Sequence, residues 1–109
     1  MPTRINRSAH EIKARLDLGD DLVLLDVREP HEVDFCVIKG SVHIPLGQIP
    51  VRMKELDPDK EIVVVCHHGA RSFQACAFLR SRGFENVYNL DGGIDAWSVS
   101  VDPSIPRYR

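Results

Sequence analysis

The stretch Ile62-Val63-Val64-Val65-Cys66-His67-His68-Gly69-Ala70-Arg71-Ser72 decides how the chain is read. Ile62 to Cys66 is an unbroken apolar run that follows the turn residues Asp57-Pro58-Asp59 and is too short for an ordinary helix. No polar residue alternates within it. The strand it predicts is therefore buried on both faces, as happens inside a parallel sheet. After it come a short loop with one Gly and a helical pattern from Ser72 to Arg82, with Ala75, Phe78 and Leu79 on one side and Gly83 as the stop. Strand, tight loop and helix in that order begin a βαβ unit.

Outward from this stretch the pattern repeats. Leu22 to Val27 is a second run of this kind, five apolar residues and one Asp, bounded by Gly19-Asp20-Asp21 and Glu29-Pro30. Ser41 to Ile44 and Asn86 to Leu90 predict weaker strands. Helical patterns occupy Pro30 to Phe35, Ile49 to Leu56 and a short segment around Ile94 to Trp97. Ser8-Ala9-His10-Glu11 has the form of a capping box, opening a helix from about residue 9 to residue 17 that stops before Gly19. Alternating strands and helices predict an α/β fold, a three-layer sandwich with a mostly parallel central sheet and helices on both faces. Ligands of such sheets sit at the carboxyl ends of the strands, which directs attention to Asp26-Val27-Arg28 and to Cys66 onward.

Composition narrows the class of protein. A chain of 109 residues predicts one domain over residues 1 to 109, and 43% hydrophobic with 28% charged residues is a globular composition. Fourteen Lys and Arg against sixteen Asp and Glu leave a net charge of -2, so no sequence-wide basic field predicts a nucleic-acid or anionic-membrane partner. The run Ile62 to Cys66 is far short of the ~20 residues a membrane-spanning helix needs. Residues Met1 to Arg7 hold two Arg with no apolar segment after them, so the default expectation is the cytoplasm. Three cysteines, Cys36, Cys66 and Cys76, without C-x-x-C spacing fit neither a disulfide framework nor a zinc site, and reduced thiols are the simplest account.

The loop after Val65 carries the chemistry. A strand that runs through a Gly-containing loop into a helix gathers backbone N–H groups around one point, with the positive end of the helix behind them. A thiol at that point, beside His67 and His68 and within reach of Arg71, is placed where its thiolate is favoured, which makes Cys66 a candidate nucleophile. A lone Cys after Val-Val-Val also reads as a small core residue. Gly69, Arg71 and Ser72 tip the balance, because a core Cys needs no anion-binding loop after it. Cys76 reads as packing, on a helix face with Phe73, Ala77 and Leu79, and Cys36 as structural, with a redox partnership to Cys66 or a surface thiol as its alternatives. Consecutive His67 and His68 in a tight loop cannot both aim at one ion, so no metal is expected. Their functional reading is to shape the loop's electrostatics and select the substrate. Asp26 at the end of an apolar strand needs a partner, an Arg or the loop's N–H groups, and with Arg28 it reads as a supporting ion pair.

With these residues in view the chain resembles the rhodanese-like single-domain sulfurtransferases. The likeness rests on Leu24-Leu25-Asp26-Val27-Arg28 followed by Glu32, on Gly40-Ser41-Val42-His43-Ile44-Pro45-Leu46, and on the Cys66 loop. It continues in Asn89-Leu90-Asp91-Gly92-Gly93-Ile94-Asp95-Ala96-Trp97 and in the closing Val101 to Tyr108. The resemblance implies a rhodanese-like sandwich and transfer of sulfane sulfur through a Cys66 persulfide, from a donor such as thiosulfate to cyanide or a thiol acceptor, with no cofactor. It implies a cradle for the anion made of His67, His68, Gly69, Ala70, Arg71 and Ser72, whose N–H groups stabilise the persulfide and whose Arg71 suits an anionic donor. A persulfide carrier serving a thioredoxin-like or sulfur-carrier protein is the alternative. Phosphatase or arsenate-reductase chemistry on the same fold is disfavoured, because those enzymes place five residues between Cys and Arg and this chain has four. Family members usually read Gly-His-Ile-Pro-Gly-Ala where this chain has Cys36-Val37-Ile38-Lys39-Gly40-Ser41. The expectation is altered turn geometry there with the Cys66 loop intact.

Overall fold

A computed structural model describes residues 4–109. Residues 1–3, part of the segment read above for a leader, lie outside the described residues. Five strands, β1 (Asn6–Arg7), β2 (Leu22–Asp26), β3 (Val42–His43), β4 (Glu61–Val65) and β5 (Val87–Leu90), form one sheet in the order β1-β5-β4-β2-β3. Every pairing in it is parallel. The helices are α1 (Ala9–Asp17), α2 (Pro30–Phe35), α3 (Ile49–Arg52), α4 (Ala70–Ser81) and α5 (Gly93–Ser100). None is long and apolar enough to cross a membrane.

The period of two along β4 explains why its sequence is apolar throughout. Ile62 and Val64 pack with Ile49 of α3 and with Ala75, Cys76 and Leu79 of α4. Val63 and Val65 point the other way, into a second core with Ala9 and Ile12 of α1 and Ile94 and Trp97 of α5. Each such fully buried Val or Ile contributes about 1.5–3 kcal/mol. The strand ties together three layers, which is the predicted sandwich.

Five local readings need correction. Ile49 to Leu56 is not one helix: Pro50 is confined to the first turn of α3, and 3-10 turns at Leu46–Gln48 and Met53–Glu55 flank that single α turn. α4 starts at Ala70 instead of Ser72, because Gly69 and not a side-chain cap ends the loop. α5 runs four residues longer than its apolar core suggested. β1 is two polar residues whose only strand signal is their pairing with Asn89 and Leu90. On α4, Phe73 and Ala77 are exposed and not on the inward face, whereas Cys76 is fully buried. That burial pushes the Cys76 thiol up to about 12, in keeping with packing as its role.

The register of β2 on β4 sets Asp26 opposite Val65, so Asp26-Val27-Arg28 and Cys66 leave the sheet side by side. Arg28 is 0% exposed and spends all five of its N–H groups. Nε and Nη2 grip Asp26 at 3.0 and 2.7 Å. Nη2 also donates to Cys36 O at 2.7 Å, and Nη1 to Glu32 O at 3.3 Å and to the Tyr108 hydroxyl at 3.0 Å. The partner left open for Asp26 is thus Arg28. The carbonyl of Cys36 serves the same guanidinium, and Gly40, at φ +89°, makes the turn of the divergent segment. Replacing Arg28 with Met should cost about 3–5 kcal/mol, because it strands the buried Asp26 carboxylate. Urea denaturation measures this, and a loss below about 1 kcal/mol would mean that Asp26 finds another partner.

Candidate active site

Cys66 directly follows β4 and is 1% exposed. Two groups reach its Sγ. The Gly69 N–H donates to it at 3.0 Å, and the Ser72 hydroxyl lies 3.2 Å away. Gly69 adopts φ +108°, a left-handed conformation open to glycine at little cost, and this turn swings its N–H back toward the sulfur. α4 begins at the next residue and aims the positive end of its dipole at the same place.

Ser72 is held in turn by Asn89 of β5. The Asn89 amide spends its two N–H groups on Asn6 Oδ1 at 2.9 Å and Gly69 O at 3.2 Å, so its Oδ1 faces Ser72 as an acceptor. The single hydroxyl proton of Ser72 therefore has three acceptors in reach, Asn89 Oδ1, the Gly69 carbonyl at 3.2 Å and a Cys66 thiolate. Negative charge on sulfur draws that proton toward Sγ without moving the backbone.

Behind the loop, the first N–H groups of α5 hold its carbonyls: Ile94 N donates to Cys66 O at 2.8 Å and Asp95 N to His67 O at 3.1 Å. Gly93 permits this approach. A Cβ there would lie 2.4 Å from both Cys66 O and His67 O.

In front of the loop, Arg71 turns its fork onto Glu32 at 2.6 and 2.9 Å. The Tyr108 hydroxyl donates to the same carboxylate at 2.7 Å, and the Tyr108 ring lies flat on His67, with centroids 3.8 Å apart. His68 stacks on the other side of His67 at 3.9 Å. Arg71, and then Tyr108, hold the Glu32 carboxyl well below the usual carboxylate range, and Glu32 raises the Arg71 guanidinium. Burial lowers His67 and keeps it neutral, with Nε2 unpartnered among the described residues, while burial pushes the Tyr108 phenol up to about 12. A cleft of about 500 Å³ borders Glu32, Phe35, His67, Arg71 and Tyr108, and one of about 590 Å³ lies on the His68 and Asp95 side of Tyr108.

Of the residues singled out in the sequence, Cys66, Gly69 and Ser72 come together. Ala70 and Arg71 belong to the first turn of α4, and Arg71 is taken up by a carboxylate instead of standing free. His67 is buried under Tyr108, and His68 is exposed. Asp26 and Arg28 stand one strand away and reach the loop only through Tyr108 and Glu32. Of the loop's N–H groups, Gly69's is the one that donates to Sγ. Glu32, Tyr108, Asn89 and Gly93 were not marked as site residues. All four lie in the segments that carry the family resemblance, without a role there, and Asn89 has one further signal, a polar residue inside an otherwise buried strand.

Residues 8–100 match the rhodanese-like domain. The chain belongs to that family. As a rhodanese-like domain it is 40% identical over 90 residues to a sulfurtransferase of Allochromatium vinosum, covering 83% of this chain and 84% of that protein. It is 44% identical over 78 residues to the thiosulfate sulfurtransferase GlpE of Pseudomonas syringae, covering 72% and 74%. The Rhodanese-like/PpiC domain-containing protein 12 of Arabidopsis thaliana is 44% identical over 93 residues; the match takes in 82% of this chain but 31% of that longer protein. Among solved structures, a rhodanese-related protein of Thermoplasma volcanium superposes with a TM-score of 0.83 at 32% identity, covering 97% of this chain and all of that one.

Substituting Gly93 by Ala forces α5 and the loop apart. We expect a stability loss of about 2–4 kcal/mol and, in the protein that still folds, faster alkylation of Cys66. Unchanged stability would show that the loop yields without strain.

Proposed function

We propose that this rhodanese-like domain is a sulfurtransferase in which Cys66 takes sulfane sulfur from a donor such as thiosulfate and passes it to cyanide or a thiol. The observation that carries this reading is the convergence of the Gly69 N–H and the Ser72 hydroxyl on Sγ. Both donors strengthen toward negative sulfur, so they favour the thiolate that attacks and the persulfide anion that results. The thiolate displaces sulfite from the outer sulfur of thiosulfate: the S–S bond of the donor breaks, a Cys66 Sγ–S bond forms, and sulfite leaves with the electron pair. The acceptor then attacks the terminal sulfur, which returns the Cys66 thiolate. The names of the relatives support sulfur transfer in general. The choice of thiosulfate and cyanide is an inference from the site and from the thiosulfate sulfurtransferase among them.

Intact-protein mass spectrometry before and after thiosulfate, and again after cyanide, tests this directly. The expected result is a gain of one sulfur atom, mapped to Cys66 and removed by cyanide. No gain in folded, reduced protein would sink thiosulfate as donor. Cys66→Ser should abolish transfer, while Cys36→Ser and Cys76→Ser retain most of it. Activity in the Cys66 variant would remove that residue from the mechanism. Arg71→Ala should lower kcat/KM for thiosulfate by about 10–100-fold, the worth of a charged hydrogen bond, since it also leaves the Glu32 carboxylate facing an anion. An unchanged kcat/KM would show that the loop does not read the donor's charge.

A further inference from the structure

The guanidinium groups packed against the Cys66 loop and its flanks, Arg28, Arg71 and Arg107, are already paired with carboxylates. Arg28 is paired with Asp26, Arg71 with Glu32 through both Nη groups, and Arg107 with Asp95 at 2.8 and 3.0 Å. His67 is buried and neutral. Arg109 also borders both clefts, but it is exposed and its charge is screened by solvent. A site built for a dianion would leave at least one guanidinium fork free to meet it. Here the fork nearest the loop is closed by Glu32, which is held in place by Arg71, by the Tyr108 hydroxyl and by Glu29 N, where its other oxygen accepts at 3.2 Å.

We propose that Glu32 is a specificity-determining residue: by cancelling the charge of Arg71 it tunes the Cys66 cradle toward sulfur donors of low charge, hydropersulfides, over the thiosulfate dianion. This rests on the Cys66 persulfide reading above. Arg71 keeps its Nε–H and the outward hydrogen of each Nη, so it still donates hydrogen bonds to a donor while contributing no net charge. The step for a hydropersulfide is balanced without any co-reactant. Cys66–S⁻ attacks the terminal sulfur of R–S–SH, the donor S–S bond breaks, Cys66–S–SH forms, and R–S⁻ leaves with the electron pair. Nothing more negative than a thiolate passes through the site. Thiosulfate, by contrast, brings two charges in and releases two on sulfite. The aromatic and apolar surface around the entrance, Phe35 and the Tyr108 ring packed edge to face at 5.7 Å, suits the organic part of such a donor better than it suits a hydrated dianion.

The test compares single-turnover loading of Cys66 by thiosulfate and by ethyl hydropersulfide in the wild type and in Glu32→Gln, followed by mass spectrometry. Gln keeps the shape and can still accept from Arg71 and Tyr108 while removing the charge. The ratio of kcat/KM for thiosulfate to that for the hydropersulfide should rise about tenfold in the variant, the order expected of one unit charge near a partly exposed site. Thiosulfate loading should also become salt-sensitive in Glu32→Gln and fall as the Debye length shortens from ~30 to ~8 Å, whereas wild-type loading does not fall. An unchanged ratio in protein that still gains sulfur on Cys66 would overturn the role of Glu32 and leave the persulfide reading intact. No sulfur on Cys66 from either donor would overturn both. If Glu32→Gln does not fold, the wild type alone decides: thiosulfate loading that falls steeply with salt means that the charge of Arg71 is uncancelled, and the proposal fails.

Discussion

A guanidinium with no contact to water is tolerable only if every N–H has an acceptor, and Arg28 meets that condition by drawing on four residues from three parts of the chain. Asp26 comes from the end of β2, the Glu32 and Cys36 carbonyls from the end of α2, and the Tyr108 hydroxyl from the far end of the described chain. The Arg28 carbonyl meets His43 Nε2 at 2.7 Å, which adds the edge strand β3. Removing any one acceptor leaves a buried donor without a partner, so these segments hold one another in place.

That arrangement reaches the sulfur indirectly. Arg28 positions the Tyr108 hydroxyl, Tyr108 and Arg71 share Glu32, and the Tyr108 ring covers His67, the residue after Cys66. On the opposite side the loop is held by the first N–H groups of α5 against the carbonyls of Cys66 and His67 and by the Asn89 amide against the carbonyl of Gly69. The cradle is thus clamped between a charged front and a rear of backbone and amide hydrogen bonds. The two groups that address Sγ itself, Gly69 N–H and Ser72, are neutral dipoles. What faces the sulfur is thus a set of preorganised dipoles and a helix terminus, with Arg28, Arg71 and Arg107 each paired with a carboxylate.

The fold could be read from the sequence to the extent that local rules govern it. The apolar runs of β2 and β4, the capping box of α1 with its reciprocal Ser8 and Glu11 bonds, and the Gly stops all act within one or two turns of chain. Where they failed, a longer-range term had often taken over. Asn6 and Arg7 form a strand only because β5 offers them a free edge. Ile49 to Leu56 has helical periodicity, but Pro50 fits only the first turn of a helix, and the segment forms one α turn between two 3-10 turns. Phe73 and Ala77 were placed inward by spacing, yet the face that α4 buries is set by the sheet beneath it.

The sequence by itself determined the alternating architecture, the position of Cys66 at the carboxyl end of a central strand, and the Gly69 turn that follows it. Each depends on neighbours along the chain: apolar period, left-handed backbone, helix start. Tertiary structure alone decided the electrostatics of the cradle. Glu32 and Arg71 are separated by 39 positions, Glu32 and Tyr108 by 76, and Asn89 and Asn6 by 83. An isolated Arg next to a loop reads as a free cation. Only the packing of α2 and the Tyr108 segment against that loop shows which carboxylate holds it, because charge pairing is chosen by distance in space and burial, neither of which is written in the spacing of residues.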